Sequence, residues 1–455
     1  MADVVMWFRR DLRLSDNTAL VAAAERARAD GGRVVPLFCL DDVLRAPSGN
    51  ARLAFLYGCL SSLDASMDGH LVVRHGDPAS VVPAVAQAVS ASAVFHAEDF
   101  GPYGRRRDAA VGAALAEIDV AFPCVGSPYA VPPGEVVKED GEPFRVFTPF
   151  SKGWRAHGWS DPVAAPTNVR WADGVRSDGV PEAPKVDAEL PEPGEAAAKR
   201  TARRFWDSGL ATYDERRNLP GDDGTSRLSP YLKWGCIHPR QLLAKLGRSA
   251  AHATFRSELC WREFYADVLW HRPDTVRQAF LESMRAMEVD TGAATDEPFR
   301  AWAEGRTGYP IVDAAMRQLL AEGWMHNRAR MIVASFLVKD LHIDWTRGAL
   351  WFMRHLVDGD VASNHHGWQW VAGTGTDPAP YFRVFNPTSQ GEKFDPDGTY
   401  VRRYVPELRG VRGKAVHQPW TLPGGPPNGY PAPIVDHAAE RAEALRRYEA
   451  VRARA

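Results

Sequence analysis

Five short apolar runs that alternate with helical stretches in the first 125 residues constrain this chain more than any other feature. The runs are Val4–Phe8, Val34–Leu40, Leu71–Arg74, Ala93–Ala97 and Val120–Val125. Between them lie Thr18–Ala29, Ala51–Met67, Ala79–Ser90 and Arg106–Ile118, with apolar residues at helical spacing. Strands separated by helices pair in parallel, and the helices cover both faces of the sheet. The pattern predicts an α/β domain over residues 1–128, a five-stranded parallel sheet that is Rossmann-like in plan. No G-x-G-x-x-G follows the first run, so a ligand here would sit at the carboxyl ends of the strands without the usual dinucleotide fingerprint.

The pattern then changes twice. Residues 129–198 are rich in Pro, Gly and Asp and read as a connector crossing the surface without long elements. Residues 199–455 read as an all-α domain. Ser257–His271, Ile311–Glu322 and Asn327–Leu341 each repeat apolar residues every three or four positions. Most of the 15 Trp residues lie in this half.

Global charge gives no hint of a nucleic-acid partner, because 55 Lys and Arg oppose 57 Asp and Glu. A DNA-binding face would need its cations concentrated locally. The five cysteines are scattered and never spaced C-x-x-C, so neither a disulfide framework nor a zinc site is expected, and no metal site is assigned. The opening MADVVMWFRRD lacks the apolar segment of a signal peptide, and no apolar run reaches membrane-spanning length. A cytoplasmic monomer is the expectation.

Four segments concentrate polar chemistry. Gly224–Pro230 crowds three hydroxyl side chains and an Arg at a Ser-Pro helix start, which suits either an anion site or simple N-capping. Glu258, Trp261 and Arg262 share one helix face, as a surface ion pair or as a binding surface. Gly323–Met331 places His326, Asn327, Arg328 and Arg330 at a helix start, either as phosphate and base contacts or as a solvated helix end. Asp358–Asp377 interleaves Asp358, Asp360 and Asn364 with Trp368, Trp370, Gly373 and Gly375; the oxygen pattern of a calcium loop is not completed.

Taken in order, these segments resemble the DNA photolyase/cryptochrome family, and within it the class I cyclobutane pyrimidine dimer photolyases. The resemblance covers nearly the whole chain. It is carried by VVMWFRRDLRLSDNTAL, TSRLSPYLKWG, ELCWREFY, TGYPIVDAAMRQLLAEGWMHNRARM, ASFLVKDLHIDW, DGDVASNHHGWQWVAGTGTDPAPYFRVFNP and QGEKFD. It implies light-driven repair of DNA by a reduced, anionic FAD held in the helical domain. Tyr213 and Thr225, Ser226, Arg227, Leu228 and Ser229 would hold its phosphates and ribityl chain. Phe255, Glu258, Arg262, Asn327, Arg330, Asp358, Asp360 and Asn364 would complete the flavin site, with Arg330 and Asp358 paired and Asn364 facing the flavin N5. Asn at that place marks repair-competent members, whereas Asp or Cys marks photoreceptors.

The resemblance also implies a lesion pocket. Glu258 and Asn327 would hydrogen-bond the damaged bases, Trp261 and Trp370 would wall the pocket, and Met331 would touch the dimer. Arg217 and Arg328 would grip phosphates of UV-damaged DNA. A lesion inside a duplex must swing out of the stack to reach a buried flavin, and photolyases are themselves a standing example of such base flipping. Members that repair the (6-4) lesion carry a His-rich sequence where this chain has Met325–Met331, so the cyclobutane class is implied.

Some positions depart from the family pattern. Trp368 and Trp345 match the inner two members of a photoreducing Trp chain, but no Trp stands at Asp290–Gly292, where the outer one belongs. Trp302 and Trp351 are candidates for another exit. His365 and His366 replace small residues and are read as packing. Phe255 stands where a Trp is common. Phe100–Arg105 favours 8-hydroxy-5-deazaflavin as antenna over methenyltetrahydrofolate, with an empty site third. The competing readings are a non-repairing blue-light cryptochrome and a generic electron-transfer flavoprotein. The first would be expected to carry a long C-terminal extension; the Arg cluster and Trp walls oppose the second.

Overall fold

The computed structural model of the protein describes residues 2–377 and 382–453. Residues 378–381, part of the PAPYF stretch quoted above, lie outside the described residues. The chain divides into two compact units. The first comprises Met1–Val186, Leu190–Ser208 and Ser226–Pro273; the second comprises Asp187–Glu189, Gly209–Thr225 and Asp274–Ala455.

The first unit is built on strands β1 (Val4–Phe8), β2 (Val34–Leu40), β3 (Val72–His75) and β4 (Ala93–Phe95). They pair in parallel in the order β3-β2-β1-β4, with Val4 opposite Val34 and Ala93, and Leu37 opposite Val72. Every residue of β1 and β2 is buried, as expected for strands covered on both faces. The covering helices are α1 (Thr18–Ala29), α2 (Asn50–Ala65), α3 (Pro78–Ala88) and α4 (Pro102–Ala116). Side chains of Asn17 and Asp77 cap α1 and α3.

The sheet has four strands, not five. The run at 120–125 lies beside β4, yet it forms only isolated bridges, Ala93 with Ala121 and His96 with Cys124. Its ladder is otherwise nearly complete: Ala121 N donates to Ser92 O, Val94 N to Ala121 O, His96 N to Pro123 O, and Val125 N to His96 O. The missing rung belongs to Pro123, which has no N–H to give to β4. One imino acid thus divides a would-be edge strand into two bridges.

The connector is not free of long elements. Phe147–His157 forms α5, an 11-residue helix. Its partner is α7 (Ala250–His271), which follows the short α6 (Ser229–Trp234). Connector backbone that lacks secondary structure is satisfied by carboxylates of α7. Glu263 accepts from Ala130 N at 2.6 Å, Val131 N at 3.1 Å and Trp154 Nε1 at 2.6 Å; Asp267 accepts from Gly134 N at 2.8 Å. Burial raises both carboxyl pKa values, that of Asp267 to about 6.

The second unit is helical. Its main members are α8 (Pro310–Glu322), α9 (Asn327–Lys339), α10 (Trp345–His355), α11 (Val361–Ala372) and α12 (His437–Arg452). Gly323 and Gly373, both at positive φ, end α8 and α11. Trp302, Phe336, Phe352 and Trp368 share one core. Gly348 gives Trp368 its seat, since a Cβ there would lie 2.2 Å from the indole.

Lys339, at the end of α9, is 3% exposed and donates to Arg383 O at 2.6 Å. Burial pushes its pKa down to about 7. Above that pH the unfolded chain keeps a proton that the folded chain has shed, so this group makes stability rise with pH up to the ordinary lysine range. The slope is about 1.4 kcal/mol per pH unit. Lys339→Met should remove that contribution. Urea unfolding of both proteins at pH 7 and 9 checks it: the wild type should gain relative to the variant, and parallel profiles would contradict the expectation.

Candidate functional site

In the first unit, Ser226, Arg227 and Leu228 lead into α6. Arg227 adopts a left-handed backbone (φ 53°), and Leu228 N donates to Ser226 Oγ at 3.4 Å. The N-cap residue is Leu228, which supplies no side-chain cap. No hydroxyl therefore caps α6 from its N-cap position. On α7, buried Phe255 packs on Phe205 with ring centroids 4.9 Å apart. Glu258 and Trp261 are half-buried one turn further on. One face of Trp261 is stacked on Phe147 of α5, at 3.7 Å and 6°, so only its other face and edge remain for a ligand. Arg262 donates to Pro128 O and Leu232 O and lies over the Tyr129 ring, which ties α7 to the start of the connector and to α6.

At the carboxyl ends of the strands, Arg9 donates to Asp108 at 2.6 Å and contacts His96 Nδ1 at 2.9 Å, while Arg107 bridges Asp99 and Asp108. Burial and the neighbouring Arg9 push the His96 pKa down to about 4. The Tyr103 hydroxyl donates to Asp41. Gly104 lies against Asp99, where a Cβ would come within 2.2 Å of the carboxyl carbon.

In the second unit, the start of α9 gathers most of the expected residues. His326 Nδ1 accepts from Arg328 N at 3.1 Å and caps the helix. Asn327 is exposed, whereas Arg328 and Met331 are half-buried. Arg328 donates to Asn218 Oδ1 at 2.8 Å and to Met331 Sδ at 3.6 Å, and it lies over the Phe394 ring. Asn218 carries no sequence signal; its role emerges only once the chain is folded. Arg217 sits 5.6 Å from the ring centroid of Tyr213, and Thr225 ends the segment that carries both.

Arg330 donates through Nε to Met325 O and through Nη2 to Asp358 Oδ2, both at 2.8 Å. This is the pair that the resemblance implies. Asp358 is buried, and its second oxygen, Oδ1, has no hydrogen-bond partner among the described residues. A buried carboxylate oxygen left in that state is costly, and its usual explanation is a missing ligand or ion. Asp360 caps α11 by accepting from Ser363 N, and Asn364 follows one turn later, its Nδ2 donating to Ala349 O at 3.0 Å. The flavin ring carries an imide N–H, the kind of donor that the Asp358 oxygen lacks, so these residues fit the cofactor.

Further along α11, Trp368 is buried and Trp370 half-buried. Trp368 meets Phe352 at 5.0 Å and Trp302 at 6.1 Å. Phe299 lies 5.6 Å from Trp302 and 6.0 Å from Trp351. Trp345, at the start of α10, meets the edge of His365 at 6.0 Å. His366 is fully enclosed, with Nδ1 on Ala362 O and Nε2 on Thr275 Oγ1; burial pushes its pKa down to about 4, so it packs as a neutral ring.

Comparison with known proteins gives these halves a common context. Residues 4–167 match the DNA photolyase family model, and residues 255–450 match the FAD binding domain of DNA photolyase. Phe255 and every later candidate residue fall inside the second match; Tyr213 and Thr225–Ser229 fall outside both. The chain is 42% identical to the deoxyribodipyrimidine photo-lyase of a Synechococcus species, with 96% of this chain and 94% of that protein covered. The Escherichia coli protein of the same name is 39% identical, with 99% of each covered. Among solved structures, a class III photolyase from Agrobacterium tumefaciens superposes with a TM-score of 0.91 at 37% identity, covering 99% of this chain and 98% of that one. A Synechocystis cryptochrome superposes with a TM-score of 0.89 at 28% identity, covering 98% and 99%. Both domain models match in order, and relatives align from end to end: the chain belongs to the DNA photolyase family.

Proposed function

We propose that this protein repairs cyclobutane pyrimidine dimers in DNA with blue light. Bound FAD, in its reduced anionic form, would supply the photoexcited electron; the chain supplies position, electrostatics and exclusion of water. The observation that carries the reading is the buried Asp358 oxygen beside Arg330, with Asn364 following on α11. Asp358, Asp360, Arg330 and Asn364 would hold the flavin ring, and Tyr213 and Thr225–Ser229 its phosphates. Glu258, Asn327, Trp261, Trp370 and Met331 would receive the flipped-out dimer, whose flat faces are apolar and whose edges are polar. We assign residues 199–455 as this catalytic domain, 129–198 as connector and 1–128 as the antenna domain. The antenna reading, deazaflavin ahead of folate, rests on Phe100–Arg105. Among the described residues no helix is long and apolar enough to cross a membrane; the working form is taken as a cytoplasmic monomer.

The test is blue-light illumination of purified protein with an oligonucleotide holding one thymine dimer. Restored thymines support repair. A light-induced spectral change without repair would favour the photoreceptor reading, and no preference for damaged DNA would end the DNA role. Glu258→Ala should lower the repair yield per absorbed photon more than it lowers lesion affinity; an unchanged yield removes Glu258 from the chemistry.

Arg328 is held by Asn218 and stacked on Phe394, which presets a guanidinium for a phosphate. Arg328→Ala should weaken binding to damaged and undamaged duplexes alike. It should also flatten the plot of log affinity against log salt by about one unit. Binding titrations over a salt series check this, and an unaltered slope removes Arg328 from the phosphate contacts.

A further inference from the structure

The second unit contains a cavity of about 310 Å³ that the repair reading does not use. Its volume sits at the small end of the range for ligand pockets. Trp345 lines it, and Met284, Met287 and Ala372 add apolar surface. Thr374 also lines it. That residue is 5% exposed, and its Oγ1 has no hydrogen-bond partner among the described residues. An orphaned buried hydroxyl beside a cavity asks for a ligand.

The charges in the wall narrow the ligand's class. Arg285 is paired with Asp274, Arg447 with Asp290 and Glu443, and His342 with Glu440. Two carboxylates also line the cavity: Glu288 is paired with Arg446, and Asp344 caps α10 by accepting from the Thr346 N–H and hydroxyl. Arg277 lines the same cavity and makes no ion pair among the described residues. This guanidinium and the unpaired hydroxyl suit a small anion that also carries hydroxyl groups, and the indole suits a planar face.

The position of the cavity suggests its use. Asp290 N donates to His342 O at 2.9 Å and Asp290 bridges Ile343, so the segment that lacks an indole is fastened to the cavity wall. We infer that the cavity binds a small planar enediolate, which gives one electron to Trp345 in place of a further tryptophan. The inference rests on the reading of Trp368 and Trp345 as electron carriers. In the step, the Trp345 radical cation gains one electron and returns to the neutral indole. The enediolate monoanion loses that electron, becomes a radical, and releases its hydroxyl proton to water.

The probe is L-ascorbate with the intact, flavin-loaded protein. Anaerobic calorimetry in the dark should show saturable one-to-one binding. Arg277→Gln and Thr374→Val should each weaken it about tenfold, as loss of a charge-assisted or buried hydrogen bond does. After a laser flash, the decay rate of the indole radical should saturate with ascorbate, with half-saturation following the dark affinity in all three proteins. Absence of dark binding, or a decay rate that stays linear in ascorbate, overturns the site while leaving the Trp reading intact. Absence of any indole radical overturns the Trp reading and the proposed electron donation with it, whatever the calorimetry gives.

Discussion

Arg330→Ala should yield a protein that folds less stably and loses its flavin. Asp358 has one oxygen on Arg330 and the other without a partner among the described residues, so the substitution leaves a buried carboxylate without a counter-charge. Breaking a buried pair from one side costs about 3–5 kcal/mol, several times the loss of an exposed pair. Arg330 keeps about a quarter of its side chain accessible, 26% against 2% for Asp358, which places the expected cost at the lower end of that range. The same guanidinium holds Met325 O, so the turn before α9 loosens as well. Two measurements separate the consequences. The flavin-to-protein absorbance ratio should fall to near zero, and the urea midpoint of the second unit should drop. Arg330→Ala with Asp358→Asn removes both charges and should recover part of the stability without recovering the flavin. A stable, fully loaded Arg330→Ala protein would show that the pair has no part in holding the cofactor.

Much of this arrangement is legible in the sequence, and the failures have local causes. Four strands announce themselves by short, predominantly apolar runs that open on Val or Ala. The fifth run has the same look, but Pro123 removes one rung, and whether a missing rung matters depends on which neighbour needs it. The helix α5 is hidden for the opposite reason. Pro149 lies in its first turn, where proline is tolerated, and Gly153 sits where a Cβ would come within 3.0 Å of Val136. Both residues read as loop signals when their partners are unknown. The Arg330–Asp358 pair is legible because it lies in two motif-dense segments 28 residues apart. The stacking of Trp261 on Phe147 is not, because its partner belongs to the connector. Likewise Arg262 reads as a ligand contact by its helical face, yet its two terminal nitrogens are spent on main-chain carbonyls. Helical spacing reports which side chains share a face; it does not report what the rest of the chain brings to that face.

Trp368→Phe should abolish light-driven reduction of the oxidised flavin while leaving repair by chemically reduced protein close to normal. On the proposed reading, the indole of Trp368 would be the shared link between the flavin and both candidate routes. One would run to Trp345; the other would follow the ring contacts from Trp368 to Trp302, 6.1 Å away, and through Phe299 to Trp351. Because no Trp occupies Asp290–Gly292, neither exit is expected to carry the whole flux. Trp345→Phe and Trp302→Phe should therefore each slow photoreduction, and the double variant should match Trp368→Phe. Trp302 needs a folding control. It is fully buried, and its Nε1 donates to Val333 O at 3.0 Å, so Phe leaves a buried carbonyl without that donor at a cost of about 1–3 kcal/mol. Its thermal midpoint should fall, whereas that of Trp345→Phe, which breaks no described hydrogen bond, should move less. If Trp302→Phe photoreduces at the wild-type rate, electrons reach the flavin through Trp345 alone. If the double variant keeps an appreciable rate, the route departs from Trp368 by a neighbour outside both exits.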